Sequence, residues 1–193
     1  MTDVDVDWGP VAVWVGAFAS FFAVIVALMG GMGWFTRRHR PVLRLSFGPG
    51  QPWCRRVSEV LWVRVAVENI GRSPARGCVG RLIGLTTDGQ PRSDVDPVQL
   101  RWAGLPRSRS FGPVDLRRGQ REYLNVVYRP HGRDWQIDTF GDKDFDPGFD
   151  THLGAGRVHE LRVALFSDNA ATEEVILRLE AAEDEPRIRA SCR

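Results

Sequence analysis

Between Asp7 and Arg37 the chain carries no charged residue. From Trp8 to Phe35 it reads WGPVAVWVGAFASFFAVIVALMGGMGWF. As one helix this run would measure about 42 Å at 1.5 Å per residue, against a bilayer hydrocarbon core of about 30 Å. Pro10 falls in the first turn, where a missing N–H loses no partner. Trp8 and Trp34 stand near the two ends, where amphipathic rings favour membrane interfaces. A core helix of a globular domain would show a polar stripe, and none is present. The sequence therefore predicts an N-terminal transmembrane α-helix over residues 8–35, after a short acidic tail (1–7) and before a basic juxtamembrane linker (36–41).

A cleaved secretory signal opens on positive charge, whereas the first seven residues are MTDVDVD. The arginines follow the apolar run, at Arg37, Arg38 and Arg40. They predict a single-pass plasma-membrane protein with its N-terminus outside and its later domain cytoplasmic, the same arginines touching anionic lipid. Small residues at Ala12, Gly16, Ser20, Ala23 and Ala27 fall along one side of the helix. That face allows close helix pairing, so a homodimer or a protein partner held through the membrane helix is expected.

After Pro41 the pattern changes to alternation. Leu43, Leu45 and Phe47 share one face, and Leu61, Val63, Val65 and Val67 share another, the period of half-buried strands. Arg76–Thr86 is apolar on both faces. Weaker strand signals cover Gln99–Ala103, Glu122–Tyr128 and Trp135–Phe140. His159–Ser167 and Glu173–Glu180 form a closing pair around Asp168-Asn169-Ala170. No amphipathic helix follows residue 41. The expected fold is mainly β: a single antiparallel immunoglobulin-like β-sandwich over 42–182, with a disordered tail over 183–193.

The stretch LWVRVAVENIGRSPARGCVGRLIGL resembles the strand–turn–strand of bacterial immunoglobulin-like modules of the CARDB (cell-adhesion-related) type. The matching positions are Val63, Val65, Val67, Asn69, Gly71 and Ala75, with Leu116-Arg-Arg-Gly119 similar to a later Gly-bearing turn. The resemblance implies a sandwich fold. On its own chemistry the turn needs no family: the Asn69 side chain can hydrogen-bond the following backbone, and Gly71 can take positive φ.

Charge excludes a strongly basic nucleic-acid binder, since 26 Lys+Arg against 24 Asp+Glu leaves a net +2. The run DWQIDTFGDKDFDPGFDTH places Asp142, Asp144, Asp146 and Asp150 at a spacing that suits Ca²⁺, but an EF-hand starting at Asp142 would have Pro147 for its Gly and Leu153 for its Glu. His39, His131, His152 and His159 lack helical zinc spacing. Asp150 and His152 would share a face of a strand, with no nucleophile marked beside them. A phosphate-binding Gly-Lys-Ser/Thr loop is impossible, because the one lysine, Lys143, lies between two aspartates. Cys54, Cys78 and Cys192 are expected as free thiols. Arg107, Arg109, Arg117, Arg118 and Arg121 make the densest basic patch after the apolar run. These readings predict no catalytic residue, no metal, no cofactor and no nucleic acid. The expected function is a non-enzymatic, membrane-anchored protein-interaction module at the cytoplasmic face. The alternatives are a metal-binding or enzymatic domain centred on Asp142–His152, or an extracytoplasmic adhesion-like module if the topology is inverted.

Overall fold

The structure, a computed structural model, describes residues 9–31, 40–106, 108–139, 148, 150–181 and 187–192. The chain divides into two compact units, Met1–Arg40 and Pro41–Arg193.

The first unit contains helix α1, Gly9–Gly31. Its side chains are described from Trp14 to Leu28. Among the described residues no helix is long and apolar enough to cross a membrane. This corrects the expected transmembrane helix over 8–35. The plasma-membrane placement, the in/out orientation, the lipid contact and the pairing through a membrane helix fall with it, as do the membrane-anchored interaction module and its extracytoplasmic alternative. Gly16, Ser20, Ala23 and Ala27 are exposed, and the Ser20 hydroxyl donates to the Gly16 carbonyl at 2.9 Å. Arg40 is exposed; Arg37, Arg38 and the side chain of Ala12 lie outside the description.

The second unit is two antiparallel sheets. The first sheet contains β1 (Leu43–Ser46), β2 (Cys54–Val57), β3 (Val60–Asn69), β7 (Arg101–Trp102), β9 (Arg121–Pro130), β10 (Trp135–Ile137) and β11 (His152–Leu153). The second contains β4 (Ala75–Thr87), β5 (Gln90–Pro91), β6 (Val98–Gln99), β8 (Val114–Leu116), β12 (Val158–Phe166), β13 (Glu173–Glu180) and β14 (Arg187–Cys192). Val63, Val65, Leu124 and Trp135 of the first sheet share one buried cluster with Leu82, Leu161, Val163 and Leu177 of the second. The core therefore lies between the sheets, and alternate residues of each strand face away from it.

Two irregularities explain where the sequence pattern misleads. β4 shows apolar residues on both faces because its register with β12 shifts between Arg162 and Val163. Cys78, Gly80 and Leu82 point inward before the shift and Leu85 after it. Such a bulge changes the phase of alternation. The run Gln99–Ala103 is not one strand: β6 pairs β4 in the second sheet and β7 pairs β9 in the first. The chain crosses between sheets at Leu100, which is fully buried. The tail expected to be disordered holds β14, paired with β13 from Val175↔Cys192 to Glu180↔Arg187. The open edge of β13 offers unpaired backbone groups that a terminal segment can satisfy.

Candidate functional site

The outward face of the first sheet gathers side chains that are far apart in sequence. Its register places Arg55 opposite Trp62, Trp62 opposite Tyr128, Tyr128 opposite Gln136, and Gln136 opposite His152. Directly opposed residues project to the same face, and the inward direction is fixed by Val63, Val127, Trp135 and Leu153, each at most 2% exposed. One row thus runs Arg55–Trp62–Tyr128–Gln136–His152 across five strands. Trp62 and Tyr128 stand upright and stacked, centroids 5.1 Å apart and planes 26° apart.

The next row holds Arg64, Asn125 and Arg101, aligned by Arg64↔Asn125 and Arg101↔Asn125. Arg64 Nε donates to Asn125 Oδ1 at 2.9 Å, and Arg101 Nε donates to Asp138 Oδ2 at 2.9 Å. The Arg101 guanidinium also lies 4.9 Å from the centroid of Trp62, a cation–π distance. One ring face of Trp62 is therefore taken by Tyr128, and the ring is further covered by Arg101. Asp138 is 5% exposed. Burial pushes its carboxyl up, opposed by Arg101 and by the hydrogen-bonded Asn125 amide. Arg64 is pushed down, first by its own desolvation and then by the positive charge of Arg55. Two guanidiniums, Arg101 and Arg64, thus act on one buried carboxylate, and the charge of Arg55 is felt at Arg64. Among the described residues neither Arg55 nor Arg64 has an ion-pair partner.

The first row ends in a hydrogen-bonded chain. Tyr128 donates its hydroxyl to Gln136 Oε1 at 2.6 Å, and Gln136 Nε2 lies 2.9 Å from His152 Nε2. His152 Nδ1 lies 2.8 Å from Asp150 Oδ1. With the amide in this orientation, His152 Nε2 accepts from Gln136 and Nδ1–H donates to Asp150. The backbone N–H of His152, followed by its ring, holds the Asp150 carboxyl below the usual range. An Asp–His pair is the rear half of a nucleophile-activating triad. Here the nitrogen that would take a nucleophile's proton is occupied by an amide, so the pair anchors β11 to β10.

His152 and Asp150 also line a cleft of about 690 Å³ with Thr87, Asp88, Arg92 and His159. His159 is 2% exposed. Its Nε2 lies 3.2 Å from the Gly154 carbonyl, which can only accept, so Nε2 carries the hydrogen and Nδ1 accepts from Thr87 Oγ1 at 3.1 Å. Desolvation lowers the His159 pKa from 6.5. Because the unfolded chain then binds a proton more readily than the folded one, stability held above pH 6.5 is lost as pH falls below it. Urea unfolding between pH 7.5 and 5 is expected to show this loss, with a slope of at most about 1.4 kcal/mol per pH unit from this group. His159→Gln is expected to flatten that part of the profile; an unchanged slope would refute the assignment.

The residues singled out from sequence are dispersed. Asn69 is fully buried: its Nδ2 donates to the carbonyls of Ser73 and Leu116 at 2.8 and 2.9 Å, and its Oδ1 accepts the Gly71 N–H at 3.0 Å. Gly71 does not take the expected positive φ; a Cβ there would lie 2.2 Å from the Val42 nitrogen. Asp142, Asp144, Asp146 and Arg107 lie outside the described residues. Among the described residues no group of three His, Cys, Asp or Glu could hold a metal. Arg121 of the sequence-level basic patch is paired with Glu68 at 2.6 Å. Cys54 and Cys78 are free, and desolvation leads the rise of the buried Cys78 thiol to about 11. Trp62, Arg64, Arg101 and Asp138 were missed from sequence. The available signal was Trp62, a large ring at a solvent-side position of an alternating strand.

Comparison with family models, with characterised proteins and with solved structures finds no match for this chain. The resemblance to CARDB-type modules on a membrane anchor is corrected to a two-sheet unit with no membrane-spanning helix among the described residues. Its matching residues form β3, a turn and the start of β4, where the chain leaves the first sheet for the second. Alternation, a buried Asn and a Gly at a close backbone approach meet the needs of such a crossing without any family.

Proposed function

We propose that the two-sheet unit is a non-catalytic recognition domain that holds an anionic ligand against the outward face of its first sheet. The observation that supports this most is the pair Arg55 and Arg64, which lack ion-pair partners beside an Arg101 already neutralised by Asp138. Guanidiniums offer forked donors that match carboxylate or phosphate oxygens. Stacking of Trp62 on Tyr128, with Arg101 laid over Trp62, keeps the surrounding side chains upright and ordered. The same arrangement favours binding over catalysis, since His152 Nε2 faces Gln136 rather than a nucleophile. The reading asks nothing of α1.

Inorganic polyphosphate titrated into the full chain tests it. Binding is expected to weaken as salt rises, because exposed charges are screened over about 10 Å at 0.1 M. The double variant Arg55→Gln/Arg64→Gln is expected to bind at least about tenfold more weakly, the loss of about 1.4 kcal/mol or more in charge-assisted hydrogen bonds. Unchanged affinity in that variant would refute the assignment of the face.

A further inference from the structure

The arginine face carries a spacing as well as a charge. Arg55 stands opposite Trp62 on the neighbouring strand, and Arg64 lies two residues beyond Trp62 on β3. The two are therefore a diagonal cross-strand pair on one face, a relation that sets side chains about 7–8 Å apart. Their mutual repulsion is felt at Arg64, where Asp138, ion-paired with Arg101, offsets it only in part. A ligand that relieves both charges must present two negative groups at a matching separation. An extended polypeptide places side chains of residues i and i+2 on one face, about 6.8 Å apart.

The aromatic residues narrow the choice further. Single-stranded nucleic acid is held without base reading by stacking its bases on open ring faces. Trp62 is stacked on Tyr128 and overlain by Arg101, and the Tyr128 hydroxyl is spent on Gln136. The Trp62 ring is thus already engaged by a ring and a guanidinium, and the guanidiniums present donors. Farther along β3, Glu68 and Arg121 neutralise each other at 2.6 Å, whereas among the described residues Arg55 and Arg64 have no such carboxylate partner.

Resting on the anion-recognition reading, we propose that the ligand is an extended acidic polypeptide segment with carboxylates at alternate positions, gripped by Arg55 and Arg64.

Fluorescence anisotropy on the full chain tests this with three labelled probes of equal length: a peptide with Asp at every second residue, a peptide with Asp at every fourth, and an oligothymidylate. The alternating peptide is expected to bind at least tenfold more tightly than either of the others. Arg55→Gln and Arg64→Gln are each expected to weaken it about tenfold, and Arg189→Gln on β14 to leave it unchanged. Equal binding of the two peptides, or tighter binding of the oligothymidylate, with loss in both variants would overturn the polypeptide assignment while sparing anion recognition. Binding insensitive to both variants, or no binding of any probe or of polyphosphate, would overturn both.

Discussion

Gly71→Ala is expected to destabilise the two-sheet unit by about 3 kcal/mol or more, a cost set by backbone overlap and not by backbone conformation. A Cβ at this position would lie 2.2 Å from the Val42 nitrogen and 2.7 Å from Pro41 C and Cα. All three are main-chain atoms, so no side-chain rotation relieves the overlap. Moving the strands apart would also strain the bonds from the Ile70 and Gly71 N–H groups to the Val42 carbonyl, 2.8 and 3.2 Å long, and the grip of Asn69 on the Gly71 N–H. Gly119→Ala is the control. That residue has φ +71° and open space around its missing Cβ, so the substitution carries only the cost of a left-handed conformation, about 1–2 kcal/mol. Chemical denaturation of the two variants is expected to rank Gly71→Ala well below Gly119→Ala. The reverse order would show that the main chain around Val42 yields to a Cβ at position 71, and would refute the contact argument.

The strands with unbroken alternation were legible before any coordinates. Leu43 and Leu45 in β1, Val63, Val65 and Val67 in β3, and the facing rows of β12 and β13 all point inward, each at most 4% exposed where buried. What escaped was whatever depends on register between distant segments. The bulge that shifts the phase of β4 lies opposite Arg162 and Val163, about 80 residues downstream, and nothing local marks it. The short β7 reads as a continuation of β6 until Leu100 is seen crossing between sheets. The outward arginine face is the extreme case, because Arg55, Trp62, Arg64, Arg101, Tyr128 and Asp138 come from β2, β3, β7, β9 and the end of β10. Each is an unremarkable outward residue in its own segment. Only the strand order β3–β9 with β7 and β10 beside it makes them neighbours. The charged residues nearest in sequence, Arg117 and Arg118, drew attention by clustering, yet they occupy the turn between β8 and β9. At the N-terminus the uncharged run is helical over Gly9–Gly31, but among the described residues no helix is long and apolar enough to cross a membrane.

Trp102→Ala is expected to cost about 3–5 kcal/mol, and Trp102→Phe about 1 kcal/mol or less, a contrast that separates packing from polarity in the core. Trp102 is 1% exposed and lies opposite Leu124 on the inward face of the first sheet. It lies two residues beyond the crossing at Leu100 and belongs to the buried cluster shared by the two sheets. Truncation to Ala leaves a cavity bounded by paired strands, whose backbone hydrogen bonds resist collapse into it. The indole also carries a liability, since among the described residues its Nε1–H has no acceptor. A buried donor without a partner costs about 1–3 kcal/mol. Phe keeps much of the ring and removes that donor, so the small cavity it leaves is offset by the polar group it eliminates. Urea denaturation of the two variants reads the difference directly. A Phe variant as unstable as the Ala variant would mean that the Trp102 N–H has an acceptor in solution, and that the crossing is held by a hydrogen bond as well as by packing.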